Sequence, residues 1–219
     1  MIRGAIFDMD GTLLDSMPIW DNAGALYLAS LDIRAEPGLG KRLFPMTVPE
    51  AAAYLKQTCA LSLSVAQIEE GIRGTVRDFY FFKAELKPGA AGFLQRMQAR
   101  GIRMAVATVT DRNCTEAALA RTGVLGMFDA VLTADEAGCG KDRPDLYLLA
   151  ARSIGTQPGQ TLVFEDALYA ARTASSAGFV TVGVFDESGR ETQSSLRREC
   201  RYYLSDFTDF AAFAADALK

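Results

Sequence analysis

Short apolar runs alternate with amphipathic stretches through the second half of this chain, and this alternation restricts the fold more than any other feature. Each run has the length of a buried strand, and each intervening stretch is long enough for a helix. The runs cover residues 102–107, 128–132, 161–164, 179–185 and 202–204. Strands that alternate with helices form a parallel sheet with helices on both faces. We therefore predict an α/β fold.

Residues 16–85 differ from the rest of the chain because they have hardly any strand signal. Apolar residues recur there at helical spacing, regularly in Val65, Ile68, Ile72, Val76 and Phe79, and less regularly in Trp20, Leu26, Leu28 and Leu31. A crossover between parallel strands needs only about a dozen residues. We therefore predict an inserted all-helical domain over residues 16–85 and a core that comprises residues 1–15 and 86–219. One large helical layer on the sheet is the alternative.

Composition limits the chemistry that is available to this chain. The chain contains no histidine, which excludes Ser-His-Asp and Cys-His catalysis as well as histidine-ligated zinc. The four cysteines are far apart and match no zinc or disulfide pattern. A net charge of −4 without a basic cluster argues against nucleic acid as a partner. Because no apolar run reaches membrane-span length, we expect a cytoplasmic protein without a membrane partner.

Two aspartates, Asp8 and Asp10, lie between a short apolar run and a glycine in the segment Asp8-Met9-Asp10-Gly11-Thr12. On extended backbone, residues two apart point to the same side, so the two carboxylates would share one face at the end of a strand. Two carboxylates this close repel each other unless a cation bridges them or one keeps its proton. This pattern indicates metal binding and acid/base chemistry. An acidic turn after an edge strand is the alternative.

Three further polar features follow predicted strands or precede helices. Thr108-Val109-Thr110 ends one strand and offers hydroxyl and backbone donors to an oxyanion, Lys141 lies in a loop before a helix, and Glu165-Asp166 ends another strand. Each feature has a structural alternative: a helix N-cap, a solvated charge, or an acidic pair at a helix N-terminus. Their common placement at strand ends instead favours one site at the carboxyl edge of the sheet.

With these residues in place, the chain resembles the haloacid dehalogenase-like hydrolase superfamily. Four motifs occur in order, namely Asp8-Met9-Asp10-Gly11-Thr12, Thr108, Lys141 and Glu165-Asp166, and the insert matches the helical cap of those enzymes. The resemblance implies a Rossmann-like core with Asp8 as nucleophile and Asp10 as general acid/base. It also implies that Thr108, Val109 and Lys141 bind the phosphoryl group. Mg²⁺ would be held by the Asp8 carboxylate, the Asp10 backbone carbonyl and Asp166, with Glu165 as a supporting neighbour.

The resemblance leaves three functions open. The first is a Mg²⁺-dependent phosphatase that acts on a small phosphorylated metabolite through an aspartyl-phosphate. The second is a β-phosphoglucomutase-like phosphomutase, although Trp20 and Pro49 occupy positions where that group has histidine and arginine. The third is a non-catalytic binding protein. Dehalogenation is disfavoured, because the dehalogenases of this superfamily lack the second aspartate.

Substrate choice is expected to depend on the insert. Polar and aromatic residues there are the candidates for contact with the substrate, namely Trp20, Lys41, Arg42 and Thr47. The expected assembly is a monomer or a small homo-oligomer.

Overall fold

The structure, a computed structural model, describes residues 1–43 and 46–218. The strands are β1 (Gly4–Phe7), β2 (Arg103–Thr108), β3 (Ala130–Thr133), β4 (Thr161–Glu165), β5 (Val180–Val184) and β6 (Tyr202–Leu204). The helices are α1 (Met17–Ser30), α2 (Leu39–Leu43), α3 (Val48–Thr58), α4 (Val65–Phe82), α5 (Ala90–Ala99), α6 (Arg112–Arg121), α7 (Ala134–Ala137), α8 (Asp145–Ser153), α9 (Leu168–Ser176), α10 (Gln193–Glu199) and α11 (Phe210–Ala217). These elements form two compact units, residues 1–15 with 85–219 and residues 16–84.

The first unit is built on a six-stranded sheet in the order β3-β2-β1-β4-β5-β6. All neighbouring strands pair in parallel, with Phe7 opposite Val106 on one side and Phe164 on the other. The strand order reverses between β1 and β4, because the chain runs from β1 to β2 and β3 and then returns to the other side of β1. Open α/β sheets bind ligands at the carboxyl ends of the strands beside such a reversal. Asp8 follows β1 and Asp166 follows β4, so both residues lie there.

Helices cover both faces of this sheet, which confirms the predicted α/β fold. Alternate residues of β1 separate the faces, as expected for extended backbone. Ile6 lies in a buried cluster with Tyr147 and other residues of α8. On the other face, Phe7 stacks on Phe164 with ring centroids 4.3 Å apart, and Phe93 of α5 packs edge-on against Phe164 at 5.7 Å. The central strands are therefore buried on both sides and hold the residues that follow them in place.

The second unit is all-helical in its described residues, with a core of its own. The regular pattern in α4 is confirmed at Ile68 and Ile72, which are buried. The earlier helix is confirmed as α1, with Leu28 buried, but the predicted face is wrong at Trp20, Leu26 and Leu31, which are exposed. The other buried residues of α1 are Ile19, Ala23, Gly24 and Tyr27. The Tyr27 ring explains this choice of face, because a Cβ on Gly71 of α4 would lie 2.1 Å from the ring, so the glycine makes room for it.

Among the described helices, none combines the length and the apolar character that a membrane span requires.

A buried ion pair joins two segments of the first unit. Lys87 Nζ lies 2.8 Å from Asp186 Oδ2, and the two side chains are only 9% and 6% exposed. The ammonium also donates to the carbonyl oxygen of Phe185 at 2.6 Å, and the Lys87 backbone N–H donates to the Leu13 carbonyl at 2.8 Å. Lys87 therefore connects the end of β5 to the turn that follows β1.

We expect Lys87→Met to destabilise the first unit by about 3 kcal/mol, because removal of one partner leaves the other charge buried without its counterion. The measurement is the free energy of unfolding in urea. Glu187→Gln is the matched control, since it breaks an ion pair to Arg190 whose side chains are 68% and 71% exposed. Exposed pairs contribute little to stability. Equal stability of the Lys87→Met variant and the wild type would contradict this assignment.

Candidate active site

The turn after β1 gives the two aspartates different surroundings. The Asp8 backbone N–H continues the sheet by donating to the Phe164 carbonyl at 3.0 Å, and its side chain is buried. The chain then turns at Gly11, whose φ of 75° lies in the left-handed region that favours glycine. Asp10 lies in this turn, where its Oδ2 accepts a hydrogen bond from the Thr110 hydroxyl at 2.7 Å. The two carboxylates are therefore held by different partners.

Lys141 is buried beside Asp8, which excludes the alternative of a solvated surface charge. Its side chain is 4% exposed, and Nζ pairs with Asp8 Oδ1 and with Glu165 Oε1, the latter at 2.6 Å. Burial alone would lower the pKa of this ammonium, but attraction to Asp8 and Glu165 outweighs burial and raises the pKa above its usual value. Lys141 therefore carries a full positive charge at neutral pH, in contact with the Asp8 carboxylate.

Three carboxylates meet at the carboxyl ends of β1 and β4. One side-chain oxygen each from Asp8, Glu165 and Asp166 lies within 4.8 Å of the others, and all three residues are buried. Asp166 Oδ1 accepts a hydrogen bond from the Thr12 hydroxyl at 3.1 Å. Glu165, which the family resemblance implies only as a supporting neighbour, lies within this group. The group thus joins the first and the last of the four motifs.

The environment of the carboxylates opposes their negative charge. Burial, together with repulsion from Asp8, raises the pKa of Glu165 to about 7 even though Lys141 opposes the change. Burial followed by repulsion from Asp8 and Glu165 likewise raises the pKa of Asp166 well above its usual value. A bound cation would remove this penalty.

The donor set fits a small divalent cation. Carboxylate oxygens are the ligands that Mg²⁺ prefers. Glu165 Oε2 is buried and has no hydrogen-bond partner among the described residues, which is costly for a carboxylate oxygen. The cluster can therefore accept a metal ion, and the chemistry of its oxygens favours a hard ion.

Thr108 ends β2, and the residues that follow it lie beside Asp10. Thr108 is buried, and its Oγ1 accepts the Thr110 backbone N–H at 3.0 Å. The side chain of Val109 is 57% exposed. The cap of α6 is Asp111, whose Oδ1 accepts the Cys114 backbone N–H at 3.0 Å, and not Thr108 or Thr110. The helix-cap alternative for the two threonines is therefore excluded.

Two contacts at the site were missed by sequence reasoning. The first is the hydrogen bond from Thr110 to Asp10. The sequence indicates Thr110 as a hydroxyl donor to an oxyanion, but not Asp10 as its partner. The second is Tyr147 on α8, whose buried hydroxyl donates to Glu165 Oε1 at 2.7 Å. The only signal for Tyr147 was a phenol within an otherwise apolar helical face, which could equally have been a core residue.

The four candidate substrate residues lie in the second unit. Trp20 and Lys41 are exposed, and Arg42 pairs with Glu36 at 3.0 Å. Thr47 caps α3 through a capping box, in which its Oγ1 accepts the Glu50 backbone N–H at 3.4 Å and its own backbone N–H donates to Glu50 Oε2 at 2.8 Å. The capping of α3 is therefore a structural role that accounts for a threonine at position 47. Contact of these residues with a substrate stays a prediction.

Comparison with known proteins points to one family. A family model described as haloacid dehalogenase-like hydrolase matches residues 2–178. The fructose-1-phosphate phosphatase YqaB of Escherichia coli is 32% identical over 186 residues, which cover 83% of this chain and 95% of that protein. The phosphorylated carbohydrates phosphatase of Thermotoga maritima is 25% identical over 177 residues, or 81% of this chain and 82% of that protein.

A solved structure has the same fold. CbbY from Rhodobacter sphaeroides, crystallised in complex with phosphate, superposes with a TM-score of 0.73 at 25% identity. The superposition covers 95% of this chain and 96% of that one. The family match spans the sheet edge where Asp8, Lys141, Glu165 and Asp166 meet, and it extends through the insert. The chain therefore belongs to the haloacid dehalogenase-like hydrolase family.

Proposed function

We propose that this protein is a Mg²⁺-dependent phosphatase that hydrolyses a small phosphorylated carbohydrate through an aspartyl-phosphate on Asp8. The observation that carries the proposal is the position of the Asp8 carboxylate, which is buried against the Lys141 ammonium and grouped with Glu165 and Asp166. The two relatives named above, both phosphatases of phosphorylated carbohydrates, support the substrate class.

The charge distribution suits attack on a phosphate. An Asp8 anion that approaches a phosphate dianion meets strong repulsion, so positive charge has to be present before the reaction begins. Lys141 provides one such charge, fixed in a buried position. Asp8, Asp166 and Glu165, with the Asp10 backbone carbonyl, are the candidates to hold Mg²⁺, which would supply further neutralisation of the phosphoryl oxygens.

The residues then divide the reaction between them. An Asp8 oxygen forms a bond to phosphorus while the bond from phosphorus to the ester oxygen breaks, and Asp10 gives its proton to that oxygen. In the second half, Asp10 takes a proton from the water that attacks the aspartyl-phosphate, which releases inorganic phosphate and restores Asp8. Thr108, the Val109 backbone N–H and Lys141 are assigned to the phosphoryl oxygens.

We assign recognition of the leaving group to residues of the second unit. Exposed Trp20 offers an aromatic surface, and Lys41 and Arg42 offer positive charge, so these three residues are the candidates for recognition of a sugar or a second anionic group. Thr47 is the weakest candidate of the four because its hydroxyl is engaged in the cap of α3.

A panel of phosphorylated carbohydrates with Mg²⁺ tests the function, with release of inorganic phosphate as the readout. We expect hydrolysis of at least one hexose or hexitol phosphate, and loss of activity in EDTA that Mg²⁺ restores. The panel includes β-glucose 1-phosphate with a bisphosphate primer, for which we expect phosphate and little glucose 6-phosphate. Efficient isomerisation without phosphate release would instead establish a phosphomutase. Activity that is insensitive to EDTA would contradict the requirement for Mg²⁺.

A further inference from the structure

The two carboxylate oxygens of Glu165 have very different surroundings. Oε1 accepts two hydrogen bonds, one from Lys141 Nζ at 2.6 Å and one from the Tyr147 hydroxyl at 2.7 Å. Oε2 is buried and accepts none from the described residues. A buried carboxylate normally engages both oxygens. Oε1 is therefore held by two donors, whereas Oε2 is left able to bind a cation.

Tyr147 is rigidly placed for its part in this arrangement. Its side chain is 0% exposed and belongs to the core cluster that includes Ile6 and Val163 of the sheet. Its ring also packs against Phe179 at a centroid distance of 6.2 Å. Because the ring cannot move without disturbing this face, the hydroxyl is a fixed donor.

Lys141 alone would hold Glu165 less well. Its ammonium is shared between Asp8 and Glu165, and the residue lies in the loop between α7 and α8. A second donor on the same oxygen restricts rotation of the carboxylate about its terminal bond. Residues that orient metal ligands in this manner commonly affect metal affinity about 10- to 100-fold.

We propose that Tyr147 is a positioning residue that holds Glu165 through Oε1, so that Oε2 serves as a ligand for the divalent cation bound with Asp8 and Asp166. This inference rests on the metal site of the proposed function, which already includes Glu165, and adds to it the side chain that orients this ligand. As a positioning residue, Tyr147 contacts neither the substrate nor the reacting atoms.

Binding of Mn²⁺ to the metal-free full-length protein, followed by electron paramagnetic resonance, tests the inference without recourse to activity. We expect Tyr147→Phe to weaken Mn²⁺ binding about tenfold or more. Tyr203→Phe is the matched control. It deletes the same hydroxyl from a tyrosine of the same unit that donates to Gln193 Oε1 at 2.9 Å, and it should bind Mn²⁺ as the wild type does.

A double-mutant cycle with Glu165→Gln separates positioning from a general structural effect. The amide keeps an oxygen for Lys141 and Tyr147 but presents nitrogen where Oε2 would bind the ion. If Tyr147 acts through Oε2, the double variant binds Mn²⁺ no more weakly than Glu165→Gln alone. Additive losses would overturn the inference, as would wild-type affinity in Tyr147→Phe.

A donor-restoring variant protects the test against a folding defect. Tyr147→4-aminophenylalanine keeps an N–H donor at the same place and should retain affinity close to that of the wild type; loss of Mn²⁺ binding in this variant, if it is folded by circular dichroism, would overturn the inference. Failure of the wild type to bind Mn²⁺ would overturn the metal site and with it the inference. If the wild type binds Mn²⁺ and Tyr147→Phe binds it equally well, the metal site stands and only the role of Tyr147 is overturned.

Discussion

Asp8→Asn should abolish turnover, with a loss of at least about 10⁴-fold in kcat, because an amide is a very poor nucleophile toward phosphorus. The substitution should leave the fold intact. The backbone N–H of residue 8 would still donate to the Phe164 carbonyl, and the amide oxygen would still accept from Lys141. The measurement is steady-state phosphate release with the best substrate of the panel.

Asp135→Asn is the control for this loss. It makes the same chemical change in an exposed aspartate of α7 in the same unit, and it should hydrolyse substrate at the wild-type rate. A rate in Asp8→Asn within tenfold of the wild type would show that Asp8 is not the nucleophile.

Asp10→Asn should slow the enzyme by about 10²- to 10⁴-fold with an alkyl phosphate, the range typical of general acid/base catalysis. An alkoxide leaving group needs a proton as the ester bond breaks, and an amide cannot supply one. The amide oxygen can still accept the hydrogen bond that Thr110 now donates to Asp10 Oδ2, so local structure should be retained.

A substrate whose leaving group needs no proton provides the comparison. With p-nitrophenyl phosphate, the phosphorylation step of Asp10→Asn should be far less impaired than with the alkyl phosphate, whereas dephosphorylation should be slow for both because water still requires a base. Rapid-quench measurement of the two half-reactions separates these steps. Equal impairment of phosphorylation with both substrates would make Asp10 a structural residue.

Much of the core was predictable because local pattern determines it. Strand runs appear as short apolar segments, and parallel strands place their carboxyl ends at one edge, so Asp8, Lys141 and Asp166 could be expected together before any contact was known. The burial of these residues and the pairing of Lys141 with Asp8 depend on how three separate segments of the chain pack together. The sequence contains those segments but not the distances between them.

Contacts that depend on packing could not be predicted. The hydroxyl of Thr110 and the carboxylate of Asp10 are 100 positions apart along the chain, and no local pattern links them. Tyr147 resembles any core aromatic until the structure places its hydroxyl on Glu165. The face of α1 was misjudged because large apolar residues such as Trp20 were assumed to be buried. Helix packing instead buries Ala23 and Tyr27, and Gly71 makes room for the Tyr27 ring.

If the phosphoryl group passes through the Asp8 carboxylate, chemical trapping during turnover should capture it at that residue. Enzyme quenched during turnover and reduced with borohydride converts an aspartyl-phosphate to homoserine, which peptide mass spectrometry can locate. We expect homoserine at position 8, only when substrate and Mg²⁺ are present, and none in Asp8→Asn. Homoserine at another aspartate, or its absence from position 8 under conditions in which the phosphoryl-enzyme is known to accumulate, would rule out Asp8 as the residue that carries the phosphoryl group.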